Sequence, residues 1–568
     1  MAYDSDKPRD LALMTPIDPS RYYTLYGDGT TQVYGAVSRD KLYVKMERGQ
    51  FYALFGDYET GLVKTQLSRY SRTLNGFKAE DGGGLLVYTV FAADTEQNYA
   101  RDEIQGDGTS GLYRLSYPGI LLNSERVRIE TRDRIHREQV LKTETLTPYI
   151  DYEIDYAAGT LFFRQPVFSR DLDFNPVYIV AEYETRGGDN KALSGGGRVG
   201  LNLQDETLQI GVSGLSDEGT DGRADLAGAD LRWFFGDDSE LRLEAAQTRG
   251  DDAGRDGEAW LAEVEHHSSR YDVLAYSRQQ DAEFGLNQQT AGQSGQRKSG
   301  VQGLVRLGED WSLEGETYRQ QNLANAARRN AAEARVRFET NATRISLGAQ
   351  QAADELPASN AGEAPVEANS SQALFSASRQ LLNGRADLSL QTETSLGGSN
   401  ESADYPDRYL LGASYALTDY ARVLAGQEFS DGDSSNTRAS RVGVQLTPWA
   451  GGLVTSTLNE SRASGYGPRR YSQLGVSQAA NLSEQWRLDL GLDASHALDE
   501  DGLTPEVNTS TGNSAFGQSS VTSISEDFVA LSAGAAWRGD VWAWRGRLES
   551  RRADSGEGCA VSIQRCPS

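Results

Sequence analysis

Apolar and polar residues alternate with period two along most of this chain. Tyr271, Val273, Ala275 and Ser277 share one face, and Asp272, Leu274, Tyr276 and Arg278 the other. Ala334, Val336 and Phe338 oppose Glu333, Arg335, Arg337 and Glu339, and Trp486, Leu488, Leu490 and Leu492 oppose Arg487, Asp489, Gly491 and Asp493. Successive side chains of a strand point to opposite faces, so this pattern predicts half-buried β-strands, roughly 20 of them between Arg198 and Glu549. The connections between them alternate in length. Short ones such as Gln204-Asp205-Glu206, Leu382-Asn383-Gly384 and Arg538-Gly539-Asp540 are separated by long polar stretches at residues 279–299, 352–371 and 498–526. Tight turns at one end and long loops at the other are the layout of an up-and-down transmembrane β-barrel. The pattern therefore predicts an all-β fold: a barrel of roughly 20–24 or more antiparallel strands, its apolar face turned outward.

The first 195 residues are less repetitive. Two hairpins, 42–58 and 73–93, resemble the later ones, and residues 41–94 are read as the first barrel hairpins after a lead-in at 1–40. A block at 95–192 reads as an inserted compact antiparallel β-domain, with a hairpin turn at residues 157–159. Residues 193–554 form the main barrel and 555–568 a polar tail.

Composition permits this reading. No run of 18 apolar residues exists, so no helix spans a membrane, but a barrel strand needs only about 9–11 residues, alternately apolar. The mean hydropathy of −0.56 suits polar loops and a wet lumen. A net charge of −26 argues against nucleic acid, which requires a basic footprint. Aromatic residues lie beside the short turns (Trp233, Phe234, Phe235, Trp311, Trp449, Trp486, Trp537, Trp542, Trp544), where an interfacial girdle belongs.

Candidate chemistry is sparse. Gly106-Asp107-Gly108-Thr109-Ser110-Gly111 matches a dinucleotide-loop spacing but opens no helix, and a turn is the better reading. His266 and His267 follow Glu263 and Glu265, yet neighbouring strand residues diverge, which speaks against a shared metal. His136 and His496 are isolated. Asp431-Gly432-Asp433-Ser434-Ser435-Asn436 has calcium-like oxygen spacing without the distal Glu of a complete loop. Arg538-Gly539-Asp540 spells an integrin-binding tripeptide on the short-turn end, away from any host receptor. Cys559 and Cys566 could pair in an oxidising compartment or stay free. No catalytic residue, cofactor or metal site is assigned, and the chain is read as a non-enzyme.

Several N-terminal segments carry a resemblance. Tyr22-Tyr23-Thr24-Leu25-Tyr26-Gly27-Asp28, Lys41-Leu42-Tyr43-Val44, Tyr52-Ala53-Leu54-Phe55-Gly56-Asp57-Tyr58, Tyr70-Ser71-Arg72-Thr73-Leu74-Asn75-Gly76, Asn123-Ser124-Glu125-Arg126-Val127 and the run from Asp151 to Gly159 resemble the barrel-entry region of large Gram-negative outer-membrane proteins. Many of that group carry upstream Ig-like repeats. A β-domain inserted between barrel strands is also similar in layout to the plug of fimbrial ushers. The resemblance implies an outer-membrane location, lipid contact, and a passage or secretion conduit with a secreted or surface protein partner. The alternative is an anchor for an adhesin or envelope structure. Met1-Ala2-Tyr3-Asp4-Ser5-Asp6 has neither a basic nor an apolar secretory region, so a leader is expected upstream. Trp542 to Glu549 would run outward, which predicts a missing inward strand and a poorly paired sheet edge there.

Overall fold

The computed structural model describes residues 2–3 and 42–567, except 96, 107–108, 122–123, 134–139, 149–150, 157–158, 168–170, 172–174, 187–191, 220–221, 237, 251–255, 287, 290–293, 358–364, 398–400, 403, 433–435, 464–465, 484, 499–526, 540–541 and 554–555. The lead-in segment apart from residues 2–3, and with it Tyr22 to Asp28, His136, residues 157–158 of the expected hairpin turn and the centre of the Asp431–Asn436 motif fall outside the described residues.

Among the described residues every regular element is a strand, and 26 of them form one antiparallel sheet, curled as an up-and-down barrel wall. From Leu208–Gly219 onward each strand pairs with its sequence neighbours, ending with Trp542–Ala553 against Gly556–Pro567. At the other end Leu42–Arg48, Phe51–Glu59, Thr73–Asp81 and Leu86–Thr95 pair in order. The two parts join where Leu86–Thr95 pairs directly with Ala192–Leu203, with Thr95 opposite Ala192. The chain between them is therefore an insertion that leaves the wall and returns to the same place. Among the described residues no pairing links Gly556–Pro567 to Leu42–Arg48.

The faces are sorted as the alternation predicts, with the usual burial inverted. Val212, Leu347, Leu411 and Val442 are exposed, while Arg198, Glu244, Arg329, Gln372, Arg408 and Glu428 are buried on the opposite face. Arginines buried on that face are paired: Arg198 with Asp230 at 2.5 Å, Arg329 with Asp354 at 2.6 Å and Arg408 with Glu428 at 2.7 Å. Exposed aromatics meet near the short turns. Trp233 lies 5.2 Å from Phe235, Trp311 5.0 Å from Phe338 and Trp486 5.3 Å from Trp544, centroid to centroid. One short turn, Leu382-Asn383-Gly384, runs through three positive φ values, a conformation Asn and Gly adopt more readily than Leu.

Two expectations are corrected. The long-loop end also has tight connections, because the strand pairs at Gly219/Gly222, Ala463/Tyr466 and Ala553/Gly556 extend to within two residues of each other. Those strands continue beyond the apolar band with polar residues on both faces, so alternation cannot mark their ends. Second, 555–568 is not a tail: Gly556–Pro567 is a strand, and Trp542–Ala553 is paired along both sides. Cys559 and Cys566, whose pairing the sequence leaves open, lie on that single strand. At about 3.3 Å per residue their Cα atoms are roughly 23 Å apart, far beyond the reach of a disulfide.

The insertion folds as two small sheets. Gln97–Gln105, Val177–Arg186, Arg126–Arg132 and Val140–Thr145 make one; Tyr152–Asp155, Thr160–Val167 and Thr109–Arg114 make the other. Between them lies an ordinary dry core including Tyr113, Val127, Tyr152, Leu161, Phe163, Ile179 and Tyr183. Each fully buried side chain of this size contributes about 1.5–3 kcal/mol.

Candidate functional site

The insertion touches the wall at two widely separated places. Gln97–Gln105 lies against Leu208–Gly219, while Thr109–Arg114 and Thr160–Val167 lie against Tyr466–Asn481, and Thr109–Arg114 also meets Trp486–Ala497. Those wall strands are fifteen and sixteen positions apart in the sheet. Flat, that separation would exceed 70 Å at about 4.8 Å per strand, whereas a unit of some 90 residues is roughly 30 Å across. The sheet must curl for one small unit to meet both places.

The first seat is built around Arg72. Its guanidinium is fully buried. Nε donates to Glu184 Oε1 at 2.7 Å, Nη2 to Glu184 Oε2 at 2.5 Å and to the Gln97 carbonyl at 3.0 Å, and Nη1 to Asp217 Oδ1 at 2.6 Å. Ser194 Oγ donates to the same Asp217 oxygen at 2.7 Å. Glu184 belongs to the insertion, Asp217 and Ser194 to the wall, and Arg72 to the connection between Phe51–Glu59 and Thr73–Asp81. One cation thus ties three parts of the chain together. Burial alone would lower the Arg72 pKa, but the Glu184 and Asp217 carboxylates and Tyr70 raise it well above its ordinary value. Above this seat Arg126 of the insertion pairs with Glu59 of the wall at 2.5 Å, in an exposed position.

The connection carrying Arg72 folds onto the inward face. The backbone N–H groups of Gln66 and Leu67 donate to the Glu244 carboxylate at 2.9–3.1 Å, and Gln289 Nε2 donates to the Leu67 carbonyl at 3.1 Å. Leu62, Leu67, Tyr70, Phe91, Leu215, Leu226, Phe284 and Leu286 close an apolar cluster around it, with Tyr70 stacked on Phe91 at 5.5 Å. A second loop folds in near residue 404. Ser402 Oγ donates to Asp354, Arg329 pairs with Asp404 at 2.7 Å, and Tyr405 and Tyr318 share a 3.0 Å hydrogen bond between their hydroxyls.

Within the insertion, Glu125 is buried. The Tyr156 and Tyr152 hydroxyls donate to its Oε1 at 2.9 and 3.4 Å, while Oε2 has no hydrogen-bond partner among the described residues. Burial pushes its carboxyl up to about 7 against the lowering effect of those donors. The outer face of its four-stranded sheet carries an alternating ion lattice of Arg101, Glu103, Glu182, Arg128, Glu130 and Arg132.

The residues weighed from sequence are scattered. His266 Nδ1 is 2.8 Å from Ser239 Oγ and its ring stacks on Tyr271, whereas His267 contacts Glu265 and Asp272. His496 Nδ1 lies 2.7 Å from Asp527. The glycine motif at 106–111 joins two strands, with 107–108 outside the described residues. Arg538 closes its strand at the short-turn end. Sequence reasoning missed Arg72, Glu184, Asp217 and Glu244. The available signal was an Asp or Glu at an inward position flanked by small or apolar inward neighbours, as Glu244 is by Ala246.

No family model matches the sequence, and no curated protein matches it. Among solved structures the chain is similar to the P pilus usher (PapC) translocation pore, at 9% identity and a TM-score of 0.29 over 93% of this chain and 86% of that one. It is also similar to the copper transporter OprC (10%, 0.37, 83% and 92%) and to the siderophore receptor PirA from Pseudomonas aeruginosa (10%, 0.34, 66% and 70%). Likenesses this distant describe shared β architecture and carry no residue or role across.

Proposed function

We propose that this chain is an outer-membrane β-barrel that serves as a passage or secretion conduit, with the insertion as its plug. The observation that carries this reading is the insertion's contact with wall strands fifteen or more positions apart. A curled 26-stranded sheet tilted by about 40° is roughly 50 Å across, so a 30 Å unit with the two folded-in loops occupies most of the bore. The inverted faces support the membrane location, since exposed Val, Leu and Trp are stable against lipid and buried paired charges against a wet lumen. The Arg72 triad gives the plug a fixed seat.

The test exploits the pairing of Thr95 with Ala192, which lets a tight turn replace the insertion without disturbing the wall. In planar bilayers the full chain is expected to conduct in small, rare events, and the chain lacking 97–186 in large, persistent ones. Equal conductance would remove the plug reading. It would leave the second reading, an anchor for a surface or envelope protein. That reading draws on one observation: Val140–Thr145 is an edge strand with every side chain exposed, a ready surface for strand addition by a protein partner.

A further inference from the structure

The outward face of four adjacent wall strands has a charge distribution that the chain as a whole does not share. Tyr271–Gln280, Gln296–Arg306, Trp311–Asn322 and Arg328–Glu339 pair in sequence. Their outward positions include the exposed Tyr271, Val273, Val301, Val305, Trp311, Leu313 and Val336. Register then puts Arg297, Arg319 and Arg328 outward too, and all three are exposed. Every carboxylate of these strands falls in the opposite register, facing inward: Asp272, Glu314, Glu316, Glu333 and Glu339. In a chain of net charge −26, the outward positions of these four strands hold three arginines and no acid, and Glu355, opposite Arg328 on the adjoining strand, borders them.

The arginines form a cluster. Arg297 is opposite Gln321, Arg319 is opposite both Ser299 and Asn330, and Arg328 is opposite Gln321. Arg319 is thus the diagonal neighbour of both other arginines, at about 7–8 Å. Arg297 donates to Gln279 at 2.8 Å, and Arg328 lies 3.5 Å from Glu355 of the next strand, both half-exposed. Arg319 has no side-chain partner among the described residues.

Height decides what these guanidinium groups meet. Arg319 is eight residues from Trp311, and Arg328 ten from Phe338, the aromatic pair at the short-turn end. With a 3.3 Å rise and a tilt near 40°, these separations are about 20–25 Å along the barrel axis, the height of the apolar band of such a wall. The arginines stand at the far edge of the band, with Ser299 and Asn330 one step below Arg297 and Arg328, and the row Val301, Thr317 and Ala332 one step below Arg319.

We infer that this patch binds the headgroup of a phosphorylated lipid in the leaflet at the long-loop end, with its acyl chains lying along the apolar rows below. Planar, multidentate guanidinium groups match phosphate oxygens; Glu355 meets only Arg328 at the edge of the cluster, and the positive charge gathered around Arg319 is relieved when an anion sits between the guanidinium groups. The site depends on the wall being membrane-embedded but not on the plug.

The test uses the full chain in mixed micelles with spin-labelled phosphatidic acid and phosphatidylcholine. The wild type is expected to prefer phosphatidic acid by about tenfold. The combined variant Arg297→Gln, Arg319→Gln, Arg328→Gln is expected to lose that preference, and Arg319→Gln alone to lose most of it. Arg223→Gln, an outward arginine elsewhere on the wall, should keep it. Heat-modifiable migration on gels verifies that each variant is folded. Undiminished preference in the combined variant, or no preference in the folded wild type, overturns the proposal. So does displacement of the labelled lipid by millimolar inorganic phosphate, which would make the cluster a free-anion site. Absence of protein from the micelle phase would instead overturn the membrane reading on which the site rests.

Discussion

The insertion and the wall are made of the same strand alternation packed in opposite senses. In the insertion Phe163, Ile179 and Tyr183 are buried and the ion lattice around Arg128 lies outside the core. In the wall Val212, Leu411 and Val442 are exposed and Arg329, Arg408 and Glu428 are buried. Period two says that a segment is a strand with two unlike faces; it does not say which face meets water. The insertion solves the problem as a soluble sandwich does, by pressing two apolar faces together. Among the described residues no second sheet covers the apolar face of the wall, and the proposed membrane location gives that face an apolar solvent.

If that contrast is correct, damage to the two regions must have different consequences. Phe163→Ala removes a ring packed 5.5 Å from Tyr113 in a core that water does not reach. The expected cost is about 3–5 kcal/mol, confined to the insertion. Trypsin cleavage within residues 97–186 should therefore appear at lower urea, while the heat-modifiable migration of the wall stays unchanged. Simultaneous loss of both would mean that the two regions fold as one unit.

The wall is tested by a charge on its exposed face. Val442 is 60% exposed and stands mid-strand, opposite Ala425 and Leu458. On a soluble protein an arginine there would be nearly neutral. Facing the bilayer midplane it should destabilise the folded barrel by about 2–4 kcal/mol. Urea titration of Val442→Arg in lipid vesicles reads this difference, and a shift below half a kcal/mol would show that the face is wet.

Much of this contrast was legible in the residues. The alternation at Tyr271–Arg278 and Trp486–Asp493 identified strands and their apolar faces, and the break in repetition near residue 95 exposed the insertion. What remained hidden was contact between distant parts. Arg72 meets Glu184 and Asp217 across 112 and 145 residues, and nothing local distinguishes it from the other arginines. The inward folding of Leu67 and Tyr405 depends on Glu244, Gln372 and Tyr318, which alternation marks only as inward or outward. Gly556–Pro567 was hidden for a different reason. Gly556, Glu557 and Gly558 begin it without an apolar face, so pairing with Trp542–Ala553 rather than pattern makes it a strand.

The subtlest difference between the regions is their response to pH, and it rests on Glu125. Of the wall's buried carboxylates, Asp354 and Glu428 each have an arginine and Glu244 has two backbone N–H donors; Glu125 has two tyrosine hydroxyls and a bare Oε2 among the described residues. In the unfolded chain its carboxyl ionises near the ordinary glutamate value, about 4.3. In the folded insertion that value rises to about 7 because the charged form is desolvated. Below the unfolded value both states hold the proton and the fold incurs no penalty. Between the two values the unfolded state releases its proton first, so the folded state binds more protons and stability falls as pH rises. Above about 7 the fold must bury a carboxylate, and the loss levels off at about 4 kcal/mol as an upper bound. The urea midpoint of the insertion, followed by fluorine NMR of a fluorophenylalanine at Phe163, should therefore drop between pH 5 and pH 8. Glu125→Gln keeps the two tyrosine hydrogen bonds but cannot ionise, so its midpoint should stay flat over that interval. An equal drop in the variant would assign the pH response to other groups, and the claim that burial of Glu125 governs it would fail.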